Sequence, residues 1–262
     1  MENSENKSLI STGSSNLAKT EKLLSITQKI LSEIKPQYES VKIGNQEWMN
    51  RNLDVDRFRN RDLIPHIESD EEWKKAGQNE QPAWCYYDND PENGKKYGKL
   101  YNWFAVNDPR GLAPEGWHVP SDDEWTSLVE YLGEDDADYK MKSAVGWNYW
   151  EDEDGEFQNG NGDNSSGFNI LPGGYRNLNG VFDNIGSIAG FWSDSKVSNY
   201  YAWNRDLFAI TFFVINSSSL DYGNKSSGAS VRCSKYSSDS KWAKAVMAGN
   251  IKPYVPPGLK FK

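Results

Sequence analysis

The chain has 262 residues, and its 29 Lys and Arg against 38 Asp and Glu give a formal net charge of −9. Two cysteines are too few for a disulfide-stapled scaffold. The acidic balance opposes non-specific nucleic-acid binding, which depends on Lys and Arg, and no apolar run approaches the ~20 residues of a membrane span.

Eleven Trp, 14 Tyr and 10 Phe supply large side chains to bury, so the chain as a whole is not a disordered one. Its first residues, Met1-Glu2-Asn3-Ser4-Glu5-Asn6-Lys7, lack the basic start and apolar run of a signal peptide. The expected location is therefore the cytosol, or a particle assembled there, with Cys85 and Cys233 as reduced thiols.

Residues 1–15 are polar. From Asn16 onward Leu17, Leu23, Leu24, Ile26, Ile30, Leu31 and Ile34 recur at helical spacing until Pro36 stops the pattern. An isolated helix of this length is marginal in water, so its stripe has to pack on something. Leu17, Leu24, Ile30, Leu31 and Ile34 are the candidate contacts for a protein partner or a second copy of the chain. This divides the sequence into an attachment segment (1–40), an aromatic-rich domain (41–236) and a tail (237–262) that ends in a proline-rich stretch.

Within the domain, turn signals leave room only for short strands. Residues 41–44 and 46–49 predict an opening hairpin. A helix is expected over Tyr97–Val106, with Leu100, Trp103 and Phe104 on one face. Ser121-Asp122-Asp123-Glu124 is a capping box, and Trp125, Leu128, Val129 and Leu132 follow at i, i+3, i+4 and i+7. Asp122 and Asp123 suit the positive end of that helix, and Gly133 ends it. Strands are predicted at Phe168–Leu171, Gly190–Ser193, Tyr200–Trp203, Phe208–Ile215 and Ser230–Ser234.

Several runs in this block carry a resemblance. They are Val41-Lys42-Ile43-Gly44 with Gln46, Trp48-Met49 and Asn52-Leu53; Tyr97-Gly98 with Leu100-Tyr101-Asn102-Trp103; and Gly116-Trp117-His118-Val119-Pro120-Ser121 with Glu124-Trp125. Later come Gly167-Phe168, Leu171-Pro172-Gly173-Gly174-Tyr175-Arg176, Gly190-Phe191-Trp192-Ser193 and Ser230-Val231-Arg232-Cys233. In this order residues 41–236 resemble the Fibrobacter succinogenes major paralogous domain, a relative of the formylglycine-generating-enzyme branch of the C-type-lectin-like fold. The resemblance implies an α+β domain with short antiparallel sheets, two main helices and much ordered loop, beside the N-terminal helix. Members usually carry an export signal, from which this start departs.

Formylglycine-type oxidation needs two nearby cysteines for copper, and Cys85 and Cys233 lie far apart in sequence, so a non-catalytic domain is expected. His66 and His118 are the sole histidines. His118 reads as a structural residue of a turn, and no nucleophile-elbow sequence supports a hydrolytic triad.

Residues 151–164 are rich in carboxylate and amide oxygens, the ligands Ca²⁺ prefers. Asp152, Asp154 and Asp163 are the candidate ligands, although the spacing is not that of an EF-hand. The alternative is a solvated acidic loop, and a metal-dependent enzyme using it is one alternative function. Trp147, Trp150, Tyr200, Tyr201, Trp203, Asn204, Arg205, Asn216, Tyr222 and Asn224 form the candidate ligand face, of the Tyr/Trp/Asn type that recognition surfaces use. In C-type-lectin-like folds this late segment commonly forms the ligand face. The leading expectation is a binding module for a protein or glycan, tethered to an assembly by its N-terminal helix. A variant of it is a diversified display or receptor-binding protein of a phage-like particle.

Overall fold

The chain divides into two units, Met1–Tyr38 and Glu39–Lys262. A computed structural model describes residues 38–209 and 222–235. The N-terminal stripe, Asn216, most of the predicted strand Phe208–Ile215 and the C-terminal tail lie outside the described residues.

The described part of the second unit is mixed α and β, with mostly antiparallel pairing. In chain order it runs β1 (Ser40–Ile43), β2 (Gln46–Met49), α1 (Asp70–Gln78), β3 (Trp84–Cys85), α2 (Pro91–Tyr97), β4 (Leu100–Asn102), α3 (Trp103–Val106), β5 (Trp117–His118), α4 (Asp122–Leu132) and α5 (Ala137–Met141). Strands follow: β6 (Tyr149–Glu151), β7 (Phe157–Asn159), β8 (Tyr175–Arg176), β9 (Phe182–Asp183), β10 (Ile188–Lys196), β11 (Tyr201–Phe208), β12 (Tyr222–Asn224), β13 (Gly228–Ala229) and β14 (Ser234–Lys235). They form sheets ordered β1-β2-β14-β5, β3-β4-β13-β8-β9, β10-β11-β12 and the ribbon β6-β7. The last strand, β14, pairs with β2 of the opening hairpin, so the domain is closed by its own two ends.

The hairpin β1–β2 turns at Gly44, whose φ of +61° suits glycine. The α4 capping box forms as the sequence predicts, with Ser121 Oγ accepting from Glu124 N and the Glu124 carboxylate accepting from Ser121 N. Trp125, Leu128 and Val129 are buried on its inner face, and Gly133 ends it.

Three expectations are corrected. Of the predicted strand Ser230–Ser234, only Ser234 lies in a strand, β14, while Ser230 makes an isolated bridge to Phe191. The helix over Tyr97–Val106 is broken: α2 ends at Gly98, where φ is +75° and a Cβ would meet Leu53 O at 2.9 Å. Leu100–Asn102 is then a strand, and Asn102 caps the short α3 while its amide also bonds Ala83 N and Gln81 O. Phe168–Leu171 forms no strand. Only Ile170 bridges, to Lys142, because Phe168 O is taken by Arg232. Helix α1 was not foreseen; Ser69 caps it and it buries Trp73 and Ala76.

The main core gathers Trp48, Trp125, Trp147, Phe168, Phe191 and Leu207 with residues of α4 and α5. Trp48 lies 4.8 Å from Trp125 between ring centroids, and Trp125 lies 5.5 Å from Phe191. Such pairs add about 0.5–1.5 kcal/mol beyond the area they bury.

Lys142, fully buried, sits 2.7 Å from Asp138 Oδ2 and 4.7 Å from the centre of the Trp147 ring. Burial raises the Asp138 pKa and lowers that of Lys142, and the mutual attraction of the pair works against both shifts. Breaking such a pair strands one charge, whereas replacing both partners removes the desolvation cost with them. Lys142→Met is expected to lower stability by about 3–5 kcal/mol. Adding Asp138→Leu should return most of that loss, as read from urea unfolding of the full chain. A double variant as unstable as the single one would show that the pair is needed for more than its charge balance.

Candidate functional site

The candidate ligand residues do not form one face. Trp147 is buried in the main core, and its Nε1 donates to Ile170 O at 3.1 Å. Asn204 is buried, with Nδ2 donating to Asp206 Oδ1. The Arg205 guanidinium turns inward onto α4, 2.6 Å from Asp122 Oδ1 and 2.9 Å from Thr126 Oγ1. These three residues are corrections to the expected surface: alternation along β11 sends Asn204 inward, and the acidic first turn of α4 draws Arg205 to it. Trp150, Trp203 and Asn224 are half-buried, and Asn224 Oδ1 accepts from Ser226 N.

Tyr200 and Tyr201 are the exposed members, at 74% and 40%, and Val197 beside them is 41% exposed. They sit on the tip of the β10–β11 hairpin, which is tightly held. Val197 N and Ser198 N donate to Tyr201 O, and Ser198 Oγ accepts from Tyr200 N and Tyr201 N. Lys225 completes the support: its backbone N donates to Tyr200 O and its Nζ to Ser198 O and Asn199 O. That Nζ lies 4.3 Å from the centre of the Trp103 ring. Burial, and then the charge of Lys196, lower its pKa.

Trp150 lies elsewhere. The base of the β6–β7 ribbon reaches the far end of β11: a Cβ on Gly160 would stand 3.0 Å from Ala209, and Asn148 bonds Ser187, which also accepts from Ala209 N. The length of β11 separates the two regions, about 25 Å by the rise of a strand.

The candidate Ca²⁺ ligands do not converge. Among the described residues, no three His, Cys, Asp or Glu side chains are grouped to hold a metal ion. Asp152 instead builds a turn. Its Oδ1 accepts from Asp154 N and Glu156 N and its Oδ2 from Gln158, which holds its carboxyl below the usual range. Asp163 Oδ1 accepts from Ser165 N in a turn of its own.

Both cysteines are free and buried. Burial pushes the Cys85 thiol up to about 12 and the Cys233 thiol up as well, so neither offers a thiolate near neutral pH. A cavity of about 20 Å³ between Trp125, Met141 and Leu207 is far below the size of an organic ligand's pocket.

His66 stacks on Trp84 with ring centroids 4.0 Å apart and planes 7° from parallel. His118 Nε2 lies 2.7 Å from Glu124 Oε1, while Glu124 Oε2 accepts from Ser121 N and Oγ. Asp194 is near this pair: burial, then the charge of Glu124, raise its carboxyl, against the opposing effects of Ser195 and His118. The arrangement fixes the start of α4, with both Glu124 oxygens already committed.

Burial pushes the Glu124 carboxyl up, but the His118 contact and the Ser121 bonds outweigh it and hold it below its ordinary value of 4.5. A carboxylate with a depressed native pKa contributes stability that is present above its unfolded value and is lost as pH falls through the native one. Glu124→Gln is expected to cost about 1 kcal/mol at pH 7. Urea unfolding should show the gap from wild type closing below pH 4.5. A gap of equal size at pH 3 and pH 7 would show that the carboxylate charge contributes nothing there.

Among the described residues no helix is long and apolar enough to cross a membrane. Comparison with curated proteins and with solved structures gives no match. Residues 41–235, from the first strand of the closing sheet to its last, match the model of the Fibrobacter succinogenes major domain, and the chain belongs to that family.

Proposed function

We propose that the protein is a non-catalytic recognition module whose contact surface is the β10–β11 tip. In this reading the α+β domain is of the C-type-lectin-like type, and the stripe Leu17, Leu24, Ile30, Leu31 and Ile34 tethers it to an assembly. Pairing of the terminal strands β2 and β14 supports the fold type. The observation that carries the function is the tip itself. Tyr200 stands largely in solvent, with Tyr201 and Val197 partly exposed beside it, on a turn whose backbone is fixed by Ser198 and by buried Lys225. Exposed apolar groups on a rigid turn contribute little to folding. They do lower the ordering cost of binding, because Tyr adds contact area with few torsions to freeze. The ligand is a protein or glycan surface that offers apolar or CH-rich faces to the rings and hydrogen bonds to Ser198 and Asn199.

The test screens the full chain against a glycan array and a displayed random-peptide library, then repeats the selected interactions with Tyr200→Ala/Tyr201→Ala. Selected ligands are expected to bind the double variant at least about tenfold more weakly, the scale of losing two aromatic contacts. Its thermal midpoint should fall by no more than a few degrees, because Tyr200 is 74% exposed and Tyr201 40%. Ligands that bind the variant as tightly as wild type would place the contact surface elsewhere.

A further inference from the structure

The ribbon β6–β7 carries a second exposed aromatic surface at the other end of β11. In its register Tyr149 faces Asn159, Trp150 faces Gln158 and Glu151 faces Phe157. Side chains alternate across a strand, so Tyr149, Glu151, Phe157 and Asn159 share one side of the ribbon and Trp150 and Gln158 the other. Tyr149 is 65% exposed and Phe157 71%, and Glu151 is exposed between them. As diagonal neighbours, their positions on the ribbon stand roughly 7–8 Å apart, within reach of aromatic side chains.

An isolated two-stranded ribbon is marginally stable in water. This one is braced at both ends. Its turn is held by Asp152, through Asp152 N to Glu156 O, Gly155 N to Asp152 O, and the three bonds accepted by the Asp152 carboxylate. Its base is held by Asn148 N to Gly186 O and Trp147 N to Asn161 Oδ1. The outer side gains little from burial, yet the backbone beneath it is hydrogen-bonded at both the turn and the base.

Charge selects what such a surface takes. From Ser143 to Tyr175 the sequence has the carboxylates Glu151, Asp152, Glu153, Asp154, Glu156 and Asp163 and no Lys or Arg. Nucleic acid and anionic membrane are repelled by such a field, and a cationic partner is drawn to it. Arg is the cation that also stacks flat on aromatic rings and sheds water easily. We propose that this side of the ribbon docks an arginine-bearing segment of a partner protein, with guanidinium groups on the Tyr149 and Phe157 rings and paired to Glu151 between them.

The test uses the full chain and a fluorescein-labelled ten-residue peptide alternating Arg and Gly, at 0.15 M salt, with binding read by fluorescence anisotropy. Saturable binding is expected. Tyr149→Ser/Phe157→Ser should weaken it about tenfold, Glu151→Gln severalfold, and a peptide with Lys in place of Arg should bind less well. Glu134→Gln/Asp135→Asn removes two carboxylates between α4 and α5 and should leave binding unchanged. The proposal is overturned if no saturable binding occurs, or if the Glu134/Asp135 variant loses as much as the ribbon variants. It is overturned equally if sedimentation shows a dimer of the chain that Tyr149→Ser/Phe157→Ser dissolves, since the occupant would then be a second copy.

Discussion

Among the described residues five cations are buried, and the packing depends on how they are held. Lys99, Lys142, Arg176, Lys225 and Arg232 are each no more than 4% exposed. Each lies over an aromatic ring: Trp84, Trp147, Trp73, Trp103 and Phe168 respectively. A cation taken out of water costs several kcal/mol unless it is paired and hydrogen-bonded. Here much of the compensation comes from ring faces and backbone carbonyls. Arg232 is the extreme case. Its guanidinium donates to Asn52 Oδ1 and Phe168 O, both uncharged, and lies over Phe168 and Phe191. Burial accordingly pulls its pKa down. Arg176 is likewise held mostly by carbonyls and rings, bonding Gly180 O, Ile67 O and Glu68 O as well as the Asp70 carboxylate between the rings of Trp73 and Phe182.

These cations connect segments remote in sequence, which explains a fold with little regular structure. Asn52, which follows β2, meets Phe168 and Arg232 in one bonded group, and Asn52 Nδ2 continues it to Tyr97 O and Ser230 Oγ. Arg176 ties the β8–β9 turn to the start of α1. Asn52, Tyr97, Phe168, Arg176, Phe191 and Arg232 all lie in the runs that carry the family resemblance. Those runs are therefore the internal scaffold. Trp117-His118 and Ser121 with Glu124 fit the same account, since they set the start of α4. A match to this family thus reports how the chain folds, and the surfaces proposed above for binding lie outside those runs, on the hairpin ends that the scaffold projects.

The parts of the fold legible in the sequence were those whose signals are local. The hairpin β1–β2 needs a glycine turn between two short apolar runs, and α4 needs a cap, a stripe and a stop. The signal for α1 was present as Ser69 and Glu72 at capping-box spacing, but Asp70-Glu71-Glu72 and Lys74-Lys75 surround Trp73 and Ala76 and hide the stripe. The break at Gly98 was harder to read, because its cause is the approach of Leu53 O from 45 residues earlier. At the candidate site, residue type misled where side-chain direction decides. Trp147 and Trp150 looked like ligand residues because indoles suit that work. The pleat instead exposes Tyr149, and the register brings Phe157 to the same side. Arg205 read as a surface cation because Asp122, its partner, is 83 residues away in sequence.

The two exposed aromatic surfaces share one construction. At each, a polar side chain spends its bonding capacity on the backbone of a turn: Lys225 and Ser198 under Tyr200, Asp152 under the ribbon. Each turn leaves aromatic rings largely exposed, Tyr200 on one and Tyr149 and Phe157 on the other, so the bonds stabilise a shape more than they stabilise the core. The surfaces differ in charge. Lys196 lies at the β10–β11 tip, whereas residues 151–158 of the ribbon carry five carboxylates and no Lys or Arg. A ligand matched to one is therefore poorly matched to the other. The strand β11 that separates them is about 25 Å long by its rise, room enough for two partners on the proposals above. On the two proposals made above, β11, running from the β10–β11 tip to the base of the ribbon, would fix the distance between the two partners.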